Sequence, residues 1–156
     1  MLLGEAESLT IAEAMLNYLQ QWEPTISLDA IDKKTPSIML QPLTGAVREK
    51  EYYNGGFIGS WPFAIYFRVK GNSSKNRIWA AQKVMRFNEW LEGMEMPELG
   101  ERRTALSIRP ATLQSVAARH ESGTDDYQSV WALRYRQLAP QKQPPAEPKE
   151  PEIQED

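Results

Sequence analysis

The chain has 156 residues, of which 41% are hydrophobic and 25% charged, with a formal net charge of −3, one histidine and no cysteine. Composition of this kind suits one globular domain. Lack of cysteine excludes disulfides, thiolate metal sites and cysteine nucleophiles, and no apolar run approaches the ~20 residues that span a bilayer.

The charge is uneven. Residues 140–156 hold five acids (Glu147, Glu150, Glu152, Glu155, Asp156) and two bases (Lys142, Lys149). Subtracting them from the totals of 21 acids and 18 bases leaves the body, residues 1–139, with 16 of each. A neutral body gives no strong attraction to nucleic acid, and no sequence-specific nucleic-acid contact is expected. No basic region followed by an apolar core opens the chain, so no secretory leader is expected.

Thr10 and Glu13 have capping-box spacing, and Ala12, Met15, Leu16, Leu19 and Trp22 follow at helical intervals. These residues predict a helix of about four turns from Thr10, ended by Pro24, with residues 1–7 frayed. Ile26, Leu28 and Ala30 alternate with polar residues, which allows a short strand, and residues 29–34 read as exposed loop. Residues 37–43 predict a strand whose Pro42 favours an edge or a strand end. Residues 44–45 turn the chain. Residues 47–53 predict a highly charged strand, carrying Arg48, Glu49, Lys50 and Glu51, that must expose one face. Asn54-Gly55-Gly56 marks a turn. Phe57, Ile58 and Trp61 then stand in a glycine-rich stretch. They either tuck over the end of the core or form a mobile loop that docks on another subunit.

Phe63, Ile65, Phe67 and Val69 alternate with Ala64, Tyr66, Arg68 and Lys70, the signature of a strand with one buried face. Ser73 or Ser74 can cap the helix that follows. Its buried stripe is predicted as Ala80, Val84, Phe87, Leu91 and Met94, widened by Ile78, Ala81 and Met85, with Asn88 on the polar side. Thr104, Leu106 and Ile108 alternate up to Pro110, giving another strand. Residues 111–136 predict a β-hairpin turning through Ser122-Gly123-Thr124-Asp125-Asp126, with Trp131, Leu133 and Tyr135 on one face of its second strand. From Pro140 five prolines and few apolar residues predict a disordered acidic tail. The expected fold class is therefore α+β: a mostly antiparallel sheet of about five to six strands on two helices, in one domain over 1–139.

No catalytic, cofactor or metal signature is present. His120 stands near Glu121, Asp125 and Asp126, but one histidine with acids in a turn is a weak metal pattern. Neither a nucleophile with a flanking base nor a phosphate-binding glycine motif is found. Arg134, Tyr135 and Arg136 could stack on nucleic acid; cross-strand pairing with acids accounts for them equally well.

The order of elements resembles the minor capsid and tail-terminator proteins of long-tailed bacteriophages and prophages. The residues that carry the likeness are the N-terminal helix over Thr10–Trp22, the stretch Glu51-Tyr52-Tyr53-Asn54-Gly55-Gly56 and the aromatic strand Phe63–Val69. The long helix through Trp79 and Trp90 and the final strand from Val130 to Tyr135 complete it. The likeness covers residues 8–138 and includes no short invariant motif. It implies a non-enzymatic virion subunit, made in the host bacterial cytoplasm, that forms a homo-oligomeric ring, typically a hexamer. Such a ring ends tail-tube growth and meets the tail-tube protein and a head-completion or connector protein. It carries no catalytic residue and no cofactor; the assembly contacts expected with it are Arg48, Glu49, Lys50, Glu51, Phe57, Ile58 and Trp61. An intracellular adaptor that recognises its partner through the acidic tail is the alternative. A small enzyme built from dispersed residues would need a deep pocket with convergent polar groups.

Overall fold

The computed structural model describes residues 2–28, 36–71, 73–111, 117–119 and 123–140. In chain order the elements are α1 (Glu5–Leu19), β1 (Ser27–Leu28), β2 (Ser37–Pro42), β3 (Val47–Glu51), β4 (Phe57–Lys70), α2 (Ser74–Gly93), β5 (Arg103–Pro110), β6 (Ala117–Arg119) and β7 (Thr124–Gln137). The fold is α+β, a mostly antiparallel sheet packed against two helices. The seventh strand, beyond the expected five to six, is the two-residue β1, which runs parallel to β2.

Two strands of 14 residues, β4 and β7, pair antiparallel from Phe57↔Gln137 to Lys70↔Thr124. On the far side of β4, β3 pairs with Phe57–Ser60 and β2 with Phe63–Arg68, one beyond the other. On the far side of β7, β6 and β5 divide the length in the same way. The alternation in β4 decides which face is covered. Phe57, Trp61, Phe63, Ile65 and Phe67 join Trp131, Leu133 and Tyr135 of β7 in one buried cluster with Ile11, Met15 and Leu19 of α1 and Val84, Phe87 and Leu91 of α2. Each large side chain so buried contributes about 1.5–3 kcal/mol. Trp22, just past α1, meets Phe67, Phe87 and Trp90 ring to ring at 5.4–6.4 Å.

Two polar devices tie these elements. Arg68 of β4 donates to both carboxylate oxygens of Asp126 on β7, each at 2.7 Å, with side chains only 16% and 6% exposed. This bidentate pairing raises the Arg68 pKa. Under the sheet, Trp131 Nε1 donates to Ser129 Oγ at 2.6 Å, and Ser129 Oγ donates to Asn88 Oδ1 at 2.7 Å. Asn88, expected on the polar side of α2, is therefore half-buried and joins helix to sheet.

Several sequence expectations are corrected. α1 starts five residues before Thr10 and ends at Leu19, so Thr10 and Glu13 form no capping box. Thr10 Oγ1 instead donates to Glu7 O at 2.9 Å inside the helix. Residues 1–7 are not a frayed end where they are described: Leu2 bridges to Val47 and Leu3 N donates to Ala46 O at 3.1 Å. Glu5 and Glu7 in the first turn suit the positive end of the helix dipole. Phe57–Ser60 is paired strand on both sides, not loop. The turn expected over 122–126 is shorter, because β7 already begins at Thr124. Ile78, Ala81 and Met85 do not widen the buried stripe of α2; all three are exposed. The loop over 29–34, His120, Glu121 and the tail beyond Pro140 lie outside the described residues.

Candidate functional site

The expected assembly residues fall into two groups with different surroundings. Phe57, Ile58 and Trp61 are buried within one copy of the chain. Phe57 packs its ring against Tyr135 at 6.0 Å, and Trp61 stacks on Phe63 at 5.4 Å while its Nε1 donates to Ser8 Oγ at 3.0 Å. They set the position of the strand beside them and present little surface. Arg48, Glu49, Lys50 and Glu51 lie on β3, and the last three are exposed.

The four charged side chains of β3 are not equivalent. A bulge between Arg48 and Lys50 breaks the strict alternation of the strand. Arg48 turns toward the helices: its Nη2 donates to Glu7 Oε1 at 2.8 Å, and its guanidinium lies 4.1 Å from the Phe57 ring centre. Glu49 accepts from Arg134 Nε of β7 at 2.9 Å. Lys50 stands 5.5 Å from the Tyr52 ring centre. Glu51 remains half-exposed, 3.9 Å from Arg48. Beyond β3 the chain turns at Asn54, whose Oδ1 accepts from Gly56 N at 2.9 Å. Gly55 holds φ +91°, a left-handed position that favours glycine. Tyr53 is fully exposed at the tip.

Sequence reasoning missed what Arg48 joins. A hollow of about 390 Å³ opens beside it, lined by Glu7, Arg48, Arg102, Arg103, Gln137 and Leu138 among others. Arg103 donates to Thr10 Oγ1 at 2.7 Å and to Gln137 Oε1 at 2.8 Å, both neutral acceptors. Glu101 and Arg102 have φ of 51° and 60°, left-handed values that cost non-glycine residues energy. Their conformation is held by Gln137 Nε2, which donates to Glu101 O at 2.9 Å, and by Arg102 Nε, which donates to Ala139 O at 3.1 Å. Among the described residues, Tyr135 Oη, Glu7 Oε2 and Arg48 Nε are buried with no hydrogen-bond partner. Burial pushes the Tyr135 phenol up to about 12. The members of this cluster stand far apart in the chain, at positions 7, 48, 103 and 135–137, and no short motif announces them.

Chemically the arrangement fixes charge at the end of the sheet. It pairs Arg48 with Glu7, sets Arg102 and Arg103 on the same hollow, and holds a strained turn against the last strand. Among the described residues no group of three or more histidine, aspartate or glutamate side chains gathers at metal-binding distance. No described helix is long and apolar enough to cross a membrane. Comparison with protein-family models finds no match, and comparison with curated proteins finds none either.

Proposed function

We propose that this chain is a structural subunit of a phage or prophage virion that assembles head to tail into a closed ring at the head–tail junction, where it ends tail-tube growth. The observation that carries the self-assembly is the unlike character of the two margins of the sheet. Beside Phe57–Ser60 one margin is β3, with exposed Glu49, Lys50 and Glu51 and the Tyr52–Tyr53 tip. The other is β5, whose charged residues are Arg103 and Arg109, with Arg102 just before it. Margins that differ in this way suit a heterologous contact, in which one surface meets a different surface of the next copy. Such a contact makes a ring when its rotation closes.

Both margins also carry a β-bulge, between Arg48 and Lys50 on one and between Ala105 and Ser107 on the other. Bulges and charges discourage simple extension of the backbone ladder from copy to copy. The contact is therefore made by side chains, with Glu51 and Tyr53 on one side and Arg109 on the other. The place in the virion rests on the likeness of element order to tail-terminator and minor capsid proteins; the same likeness supplies the tail-tube and connector proteins as partners.

The test is to mix purified protein with tail tubes polymerised from the tube protein of the same genome and view them by negative-stain electron microscopy. Rings seated on tube ends, with tube length held constant as tube protein is added, are expected. Bare ends and unchanged tube growth would remove the virion role.

A further inference from the structure

We infer that two copies of the chain pair through the outer face of α2, antiparallel and about a two-fold axis. Three features of that helix meet here. The first is an apolar stripe on the side away from the core. Ile78 is 58% exposed and Met85 63% exposed, with exposed Ala81 between them. At 100° per residue these three lie within about 60° of one another on the helix surface, and their mean direction is about 120° from that of Val84, Phe87 and Leu91. The buried stripe does not need them, and water gains nothing from them.

The second feature is size. Ala81 is a small residue between two large ones. Antiparallel packing that sets Met85 of one copy over Ala81 of the other places large on small twice, once on each side of the axis. Interdigitation of this kind is how helix surfaces close against one another.

The third feature is charge, and it selects the partner. Lys75, Arg77, Lys83 and Arg86 occupy the first two-thirds of α2, while Glu89 and Glu92 follow in the last third. The first turn has no acid and the last turn no base. That order opposes the helix dipole, which favours acids at the start and bases at the end. An antiparallel second copy offsets it, because the acidic end of each helix comes to the basic start of the other. The register that puts Met85 over Ala81 also brings Glu89 of one copy to the flank of the seam where Lys75 of the other stands, two residues from level. A parallel partner, or a uniformly basic or acidic one, would match only half of the helix. The pairing is isologous, so it stands independently of the head-to-tail ring.

Sedimentation velocity on the full chain, over a concentration series at about 50 mM salt, tests this pairing. Wild-type protein is expected to form pairs, or particles with an even number of copies. Met85→Glu is expected to weaken the pairing at least ~10-fold with unchanged far-UV circular dichroism, since Met85 lies outside the core. Lys75→Glu weakens it as well, and Lys75→Glu combined with Glu89→Lys recovers it, because the two charges meet again with signs exchanged. If copies also join through the sheet margins, Met85→Glu halves the particle, whereas Glu51→Arg leaves the pair intact. Wild-type protein that stays monomeric at about 100 μM overturns the inference, since a micromolar pair would be largely formed there. So does association that ignores Met85→Glu, or a charge-swapped double variant no tighter than Lys75→Glu alone.

Discussion

Gly59 has no side chain because the Tyr135 ring fills the space beside it. A Cβ there would stand 2.5 Å from Tyr135 Cζ and 2.7 Å from its hydroxyl oxygen. Neither β4 nor the ring can withdraw without disturbing the paired strands and Phe57. Gly59→Ala should therefore cost about 1–3 kcal/mol, the usual penalty for overpacking a filled core. A urea melt at neutral pH measures it. Tyr135 itself makes a different prediction. Its folded pKa is raised to about 12 from an ordinary 10.0, with burial as the main cause. The folded state thus holds this proton more tightly than the unfolded chain does. Its contribution is complete below pH 10 and is lost as pH rises through 12. Tyr135→Phe should abolish that alkaline loss. Because the hydroxyl has no partner among the described residues, the substitution should leave stability at pH 7 equal or higher. Thermal melts of both proteins between pH 7 and 12 distinguish these outcomes.

At the scale of elements, the Arg68–Asp126 pair and the Ser73 cap carry separable costs. Asp126→Asn removes the charge that Arg68 grips at both oxygens and should destabilise the fold by about 1.5–3 kcal/mol. Ser73 Oγ accepts from Asn76 N at 3.3 Å at the start of α2, so Ser73→Ala should cost about 1 kcal/mol. Chemical denaturation of each variant measures both. The cap was legible in the sequence, as were the alternation of Phe63–Val69 and the stripe of Ala80, Val84, Phe87 and Leu91. Each follows from local periodicity, and burial repeats it.

What could not be read depended on partners distant in sequence. Gly59 and Pro62 suggest a loop over 57–62, yet β4 starts at Phe57. Gly59 is required by Tyr135, 76 positions away. Pro62 is tolerated because its carbonyl accepts from Leu43 N, on the side of β4 where β2 gives way to β3. A residue's N–H and C=O share one side of a strand, so the donor that proline lacks would have faced that gap. Thr10 and Glu13 failed as a capping box for a similar reason. Pairing of Leu2 and Leu3 with the start of β3 allows the helix to begin earlier. On β3 the sequence showed the charges. It did not show that Arg48 would turn inward to Glu7 while Glu49 reached Arg134, because those partners stand 41 and 85 positions away.

Over the whole molecule, one face of the sheet carries both helices, while the two margins and the outer face of α2 offer contacts of different kinds. The sheet margins are unlike and suit head-to-tail assembly; the α2 face is self-complementary and suits a two-fold pair. Used together they would build a closed particle with an even number of copies. The margin contact is the central claim, and charge reversal at Glu51 addresses it without touching the core. The most direct measurement is the native mass of the full-length protein by mass photometry and sedimentation velocity, with wild-type and Glu51→Arg chains side by side. A discrete closed ring for wild type, reduced to monomers or pairs by Glu51→Arg with unchanged circular dichroism, is the predicted result. Wild-type protein that never exceeds a pair at any concentration, or a ring that Glu51→Arg leaves intact, would contradict it.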